Sequence, residues 1–65
     1  MTYSLYEARV TNKLSQKEVA DALGISVVTW RKYEVESPKK ITFELIELFL
    51  NLTNLELSQL DFSRT

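Results

Sequence analysis

The charged side chains that could bind a ligand are distributed unevenly along this chain of 65 residues. Six basic residues lie between positions 13 and 40 against four acidic ones, a net charge of +2. Residues 41 to 65 carry four acidic side chains and one basic, a net charge of −3, and the formal total is −1. The six basic residues are Lys13, Lys17, Arg31, Lys32, Lys39 and Lys40. One face can therefore be basic, and suited to an anionic ligand, although the whole chain is slightly acidic.

The composition argues against catalysis. The chain has no histidine, no cysteine and a single glycine. It therefore lacks the usual general base, thiol nucleophile, phosphate-binding loop and zinc ligands. Glu44 and Glu47 lie three residues apart, a spacing that places both on the solvated edge of one helix. The sequence predicts no enzyme, no metal site and no cofactor.

The run from Gln16 to Val35 has the pattern of two short helices joined at a glycine. Val19 and Leu23 lie four residues apart on the first helix, and Trp30 and Tyr33 lie three apart on the second. These spacings place each pair on one helix face, so both pairs can enter a common core. An exposed stacking or interface role is the alternative for Trp30, but its spacing from Tyr33 favours the core.

Capping signals mark the ends of these two helices. Ser15 and Glu18 have the spacing of a capping box, which starts the first helix. Gly24 supplies the left-handed residue that ends it, and Ser26 can cap the second helix. The connection is then about three residues long. Ala20 is small enough to let the two helices cross closely. Together with the caps and the short connection, it gives the pattern of a helix-turn-helix unit.

Over residues 5 to 60 the sequence resembles the Cro and phage-repressor, or XRE-like, class of helix-turn-helix DNA-binding domains. That family has an arginine six residues before the cap serine, matched by Arg9, and a glutamate ending the recognition helix, matched by Glu34. The resemblance implies a structural ion pair between them. The family's glutamine at the start of the first helix of the pair is matched by Gln16, and its closing segment is echoed loosely by residues 53 to 60.

The predicted fold is an all-α, compact, five-helix lambda-repressor-like domain with a central helix-turn-helix. It forms a single domain over residues 1–65. Pro38 disfavours helical angles at Ser37, so a loop is expected from Val35 to Ile41. The fourth helix is apolar on nearly two faces, which indicates deep burial or a second partner. The predicted helices are Ser4 to Asn12, Gln16 to Leu23, Val27 to Glu34, Phe43 to Leu52 and Leu57 to Asp61.

The resemblance implies that the second helix of the unit enters the major groove of double-stranded DNA while the first crosses the backbone. Gln16 and Lys17 would hold phosphate, as would Lys39 and Lys40, for which a solvated loop is the alternative reading. Lys32 alone could read guanine, whereas valines contact thymine methyl groups. The residues implied to face the groove are Ser26, Val27, Val28, Thr29 and Lys32.

Val27 and Val28 also support a second hypothesis. Burying one branched apolar side chain is worth roughly 1.5–3 kcal/mol, so two of them at the exposed start of a helix favour a protein partner. The domain would then be a phage antirepressor or modulator of repression that binds a partner repressor. Its interface residues would be Val27, Val28, Thr29, Arg31 and Lys32.

The expected setting is the same for both hypotheses. A phage or prophage regulator of this class would act in the cytoplasm of a bacterial host, and the absence of cysteine suits a reducing compartment. The partners would be operator DNA, a repressor protein or a second copy of the chain. No small-molecule substrate is expected. No membrane contact is expected either, because glutamates interrupt the apolar run of residues 43 to 50.

Overall fold

The structure is a computed structural model that describes residues 2–36 and 38–62. The non-helical backbone predicted for Ser37 falls outside the described residues. The positive charge of Arg64 also falls outside them. The described part is all-helical, with two further short 3₁₀ helices, Pro38–Lys40 and Leu57–Gln59. The all-α prediction is confirmed. The α-helices are α1 Leu5–Thr11, α2 Gln16–Leu23, α3 Val27–Val35 and α4 Phe43–Thr53.

The predicted fifth helix, Leu57 to Asp61, is present only as the three-residue 3₁₀ helix. The physical reason is a competing backbone pairing. The Tyr3 N–H donates to the Gln59 carbonyl at 2.7 Å, and the Asp61 N–H donates to the Tyr3 carbonyl at 2.8 Å. Leu60, between them, is extended and forms an isolated bridge with Tyr3. The backbone around Leu60 therefore pairs with Tyr3 near the start of the chain, so it does not continue the helix.

The helix-turn-helix caps form as the sequence predicts. Ser15 Oγ accepts the Glu18 N–H at 3.0 Å, and Glu18 Oε1 accepts the Ser15 N–H at 2.9 Å. Gly24 ends α2 at φ 73°, in the left-handed region. Ser26 Oγ accepts the Thr29 N–H at 3.1 Å and begins α3. Equivalent side-chain caps begin α1 and α4. The two helices of the unit are thus separated by three residues.

The core lies where α2, α3 and α4 meet. Trp30 and Phe49 are fully buried, and their ring centroids are 5.1 Å apart. Ala20 is also buried, as expected for a small residue where α2 and α3 cross. Tyr33 packs against this core but is only partly buried. The other buried apolar side chains are Leu5, Ala8, Val19, Leu23, Ile41 and Leu60.

Only part of the apolar surface of α4 is buried. Phe49 is enclosed in the core, and the partly buried Leu45, Ile46 and Leu50 pack around it. Phe43 and Leu48 remain 62% and 44% exposed. Burial thus explains one of the two apolar faces predicted for this helix. No helix in the described part of the chain is long and apolar enough to cross a membrane.

Candidate nucleic-acid interface

A buried carboxylate, that of Glu34, ties α1 to α3 beneath the helix-turn-helix. Its side chain is 1% exposed. Arg9 donates Nε to Glu34 Oε2 at 2.9 Å and Nη2 to Oε1 at 3.0 Å, and its Nη1 donates to the Leu14 carbonyl at 2.8 Å. The Trp30 indole also donates to Glu34 Oε2, at 2.6 Å. Two parallel bonds between a guanidinium and a carboxylate hold both groups in one geometry. Arg9 and Glu34 therefore fix α3 against α1.

The side chain of Gln16 joins the same carboxylate. Its Nε2 donates to Glu34 Oε1 at 3.4 Å. An amide nitrogen carries two N–H donors, so one of them remains for an external acceptor such as a phosphate. Sequence reasoning missed this contact and also the bond from Trp30 to Glu34. The Trp30–Glu34 bond could have been predicted from the sequence, because residues four apart on a helix are neighbours.

Lys17, the other residue expected to hold phosphate at the start of α2, lies on the surface. Its Nζ is 2.9 Å from Asp21 Oδ2, with the two side chains 79% and 65% exposed. Exposed pairs of this kind contribute about 0–1 kcal/mol. The ammonium group can therefore exchange Asp21 for a phosphate at little cost.

The residues expected to face the groove differ in their accessibility. Val28 is 55% exposed, and Lys32 is also exposed, whereas Val27 is partly buried against the core. The Ser26 hydroxyl accepts the Thr29 N–H and donates to Thr29 Oγ1 at 2.9 Å. Its single proton is thus already used within the cap. Of the α3 side chains in this set, Val28 and Lys32 are exposed to a ligand and Thr29 is partly exposed.

The segment after α3 is more ordered than the predicted loop. α3 extends to Val35, and Pro38, Lys39 and Lys40 form a 3₁₀ helix that packs against α3. Proline suits the first position of a helix because its φ is already helical and it has no N–H to satisfy. Both lysines are exposed. The 3₁₀ helix holds them beside the C-terminal half of α3.

An open cleft of ≈ 430 Å³ lies between one face of α3 and Lys40 of this 3₁₀ helix. Tyr33 and Glu36 line it, although the sequence analysis assigned neither to a site. A helical signal was available, since positions 29, 32, 33 and 36 fall on one helix face. No group of acidic side chains that could hold a metal ion occurs among residues 2–36 and 38–62. The full lining is Thr29, Lys32, Tyr33, Glu36 and Lys40.

These features define a helix-turn-helix domain: α2 and α3 are adjacent, three residues join them, and the start of α3 is open to solvent. The model of the helix-turn-helix family matches residues 5–60. The chain belongs to this family, of the XRE type, whose members are DNA-binding transcription regulators. No curated protein and no solved structure matches the chain.

Proposed function

We propose that the protein is a sequence-specific transcriptional regulator of the phage-repressor or Cro type that inserts α3 into the major groove of its operator. The observation that carries this proposal is the exposed start of α3 on a helix held in place by the buried Arg9–Glu34 pair. A recognition helix must be rigidly supported to place its side chains at base edges. Such a regulator would act in the cytoplasm of a bacterial host.

Exposed polar groups of two segments beside α3 would hold the DNA backbone. At the start of α2, Gln16 offers a free N–H and Lys17 an accessible ammonium group. Lys39 and Lys40 lie beside the C-terminal half of α3. Contacts of this kind set the register of the protein on DNA without reading its sequence. A homodimer would place two such recognition helices about 34 Å apart, one turn of DNA.

Sequence discrimination rests mainly on Val28. An aliphatic side chain in the major groove contacts the methyl group of thymine. Val27 is less accessible, and the Ser26 hydroxyl is engaged by Thr29. We therefore propose an operator recognised through thymine methyl groups more than through hydrogen bonds to base edges.

The dependence of DNA affinity on salt tests this proposal. If the cations of this surface together neutralise about four phosphates, log affinity should fall against log salt with a slope of about −3.6. Lys39→Ala and Lys40→Ala should each flatten the slope by about one unit and weaken binding to all sequences alike. Fluorescence anisotropy with a labelled duplex at several salt concentrations measures both quantities.

Lys13→Ala is the matched control, because Lys13 is exposed in the turn before α2 and outside the proposed set. Its slope should equal that of the wild type. Absence of binding to operator DNA at low salt would refute the proposed function. Unchanged slopes for both lysine variants would instead assign Lys39 and Lys40 to the solvated surface.

A specific observation favours a second candidate function. Val28 is 55% exposed on a domain whose formal charge is −1, and the centre of a protein interface is typically apolar and poor in charge. We propose as the alternative that the domain is an antirepressor or modulator that binds a partner repressor. The interface would consist of Val27, Val28, Thr29, Arg31 and Lys32.

The two candidates predict different results when the domain meets a co-encoded repressor without DNA. An antirepressor should form a complex at micromolar concentration, and titration of the domain should release the repressor from its operator. A regulator that only competes for the operator should bind the DNA and should not bind the repressor. Isothermal titration of the two proteins, followed by titration of each against operator DNA, measures both outcomes. Lack of association combined with DNA binding would exclude the antirepressor.

A further inference from the structure

The cleft beside α3 brings together hydrogen-bond donors that have no partner in the described part of the protein. Lys32, Tyr33 and Lys40 line it, and among residues 2–36 and 38–62 no hydrogen bond or ion pair engages the polar groups of their side chains. Thr29 adds a fourth donor, because its Oγ1 accepts from Ser26 and keeps its own proton free. The chemistry of such a set favours an anion with several acceptor oxygens.

One acidic group, Glu36, also lines the cleft. Two ammonium groups and one carboxylate leave the cleft with a net charge of +1, which matches one phosphodiester. Lysine and hydroxyl groups are common ligands of DNA phosphate oxygens. Glu36 is exposed at the end of α3, so solvent screens part of its repulsion of an anion.

The position of the cleft identifies the source of the phosphate. Thr29 directly follows the exposed Val28 in the first turn of α3, and Lys32, Tyr33 and Glu36 continue from it towards the C-terminal end of the helix. The cleft thus runs from the first turn of α3, beside Val28, to the C-cap of the helix. A helix whose first residues lie in the major groove brings its later residues towards the backbone that borders the groove.

We propose that this cleft binds one backbone phosphate of the DNA, with Lys32, Lys40 and the Tyr33 hydroxyl as donors. The inference rests on the proposed DNA-binding function and deepens it. It assigns Tyr33 to the DNA interface. It also assigns Lys32 to the backbone and not to a guanine edge, so Lys32 contributes affinity without sequence preference.

Tyr33→Phe tests the assignment, since it removes one hydroxyl and keeps the ring that packs against the core. A hydrogen bond to a charged group is strong enough that its loss should lower DNA affinity about tenfold. The salt slope should stay the same, because a neutral hydroxyl releases no counterion. Tyr6→Phe is the matched control: Tyr6 is 53% exposed on α1, and its variant should bind as the wild type does.

Two further variants test the charges of the cleft. Lys32→Ala should weaken binding by the same factor to the operator and to every operator variant with one substituted base pair. If Lys32 instead read a guanine, Lys32→Ala would lose the preference for that base pair. Glu36→Gln should tighten binding severalfold by removing a negative charge beside the phosphate. Glu44→Gln removes the same charge from α4 and should change affinity less. Loss of preference at one base pair in Lys32→Ala would overturn the assignment of Lys32.

Operators that carry a single methylphosphonate locate the phosphate itself. At one position the substitution should weaken wild-type binding, and Tyr33→Phe should lose nothing more there. Additive losses at every position, or wild-type affinity of Tyr33→Phe, would overturn the inference while leaving the proposed function intact. Failure of the wild type to bind any duplex would remove both.

Inorganic phosphate distinguishes the other source of the same chemistry. In the DNA-free protein, millimolar phosphate should leave the ring resonances of Tyr33 unchanged, because the DNA backbone and not the free ion is the ligand. Saturable shifts of these resonances, together with unchanged DNA affinity of Tyr33→Phe, would mean that the cleft is a site for free phosphate and would refute the proposal.

Discussion

Arg9→Ala is expected to remove most of the stability of the domain, so that a substantial fraction of the protein is unfolded at room temperature. The variant removes two bonds to Glu34 and one to the Leu14 carbonyl, and it leaves a carboxylate that is 1% exposed without its counter-charge. Removing one partner of a buried ion pair typically costs about 3–5 kcal/mol. A domain of this size has a total stability of about 5 kcal/mol. Circular dichroism on heating should therefore show no cooperative transition, or one at a much lower midpoint.

Two variants make this result interpretable. Arg9→Lys keeps the charge but not the planar fork that bonds both carboxylate oxygens, so its midpoint should lie between those of wild type and Arg9→Ala. Arg31→Ala removes an exposed arginine from α3 and should change the free energy of unfolding by no more than about 0.5 kcal/mol. An Arg9→Ala midpoint equal to that of the wild type would show that the pair contributes nothing to stability.

Val28→Asp is expected to weaken operator binding about a hundredfold while the domain stays folded. Val28 is 55% exposed, so the substitution leaves no cavity in the core. On the DNA it replaces a methyl contact by a carboxylate facing a polyanion. Such like-charge contacts cost several kcal/mol, and about 3 kcal/mol corresponds to a loss of about a hundredfold in affinity. Anisotropy titration measures the loss, and thermal melting checks that folding is retained.

Val35→Asp is the matched control. Val35 is on the same helix and is 58% exposed, so the change in side chain and net charge is the same. Only the position differs, at the far end of α3 from the groove. A loss at Val28→Asp no larger than that at Val35→Asp would show that charge alone, and not a groove contact, explains the effect. Wild-type affinity of Val28→Asp would contradict the proposed orientation of α3.

Local sequence determined the helix-turn-helix unit. The bounds of α2, Gln16–Leu23, are as predicted. The Ser15 capping box and the left-handed Gly24 act within four residues, so they do not depend on the rest of the fold. The burial of Trp30 follows from helical spacing in the same way, because residues three and four apart share one face.

Contacts between segments far apart in the chain determined the features that the sequence pattern could not predict. The predicted fifth helix shortens because Tyr3 pairs with the backbone around Leu60, which is a contact across nearly the whole chain. The amide of Gln16 bonds to Glu34, 18 residues away, only because α2 and α3 cross there.

The cleft beside α3 likewise belongs to the tertiary structure. Lys40 lines the same cleft as Tyr33 and Glu36 because the 3₁₀ helix after Pro38 packs back against α3. The sequence by itself determined the caps, the turn and the recognition helix, since their causes are local hydrogen bonds and backbone angles. The distances between side chains of different helices are set by how the core packs, and only the tertiary structure decided which donors face the same ligand.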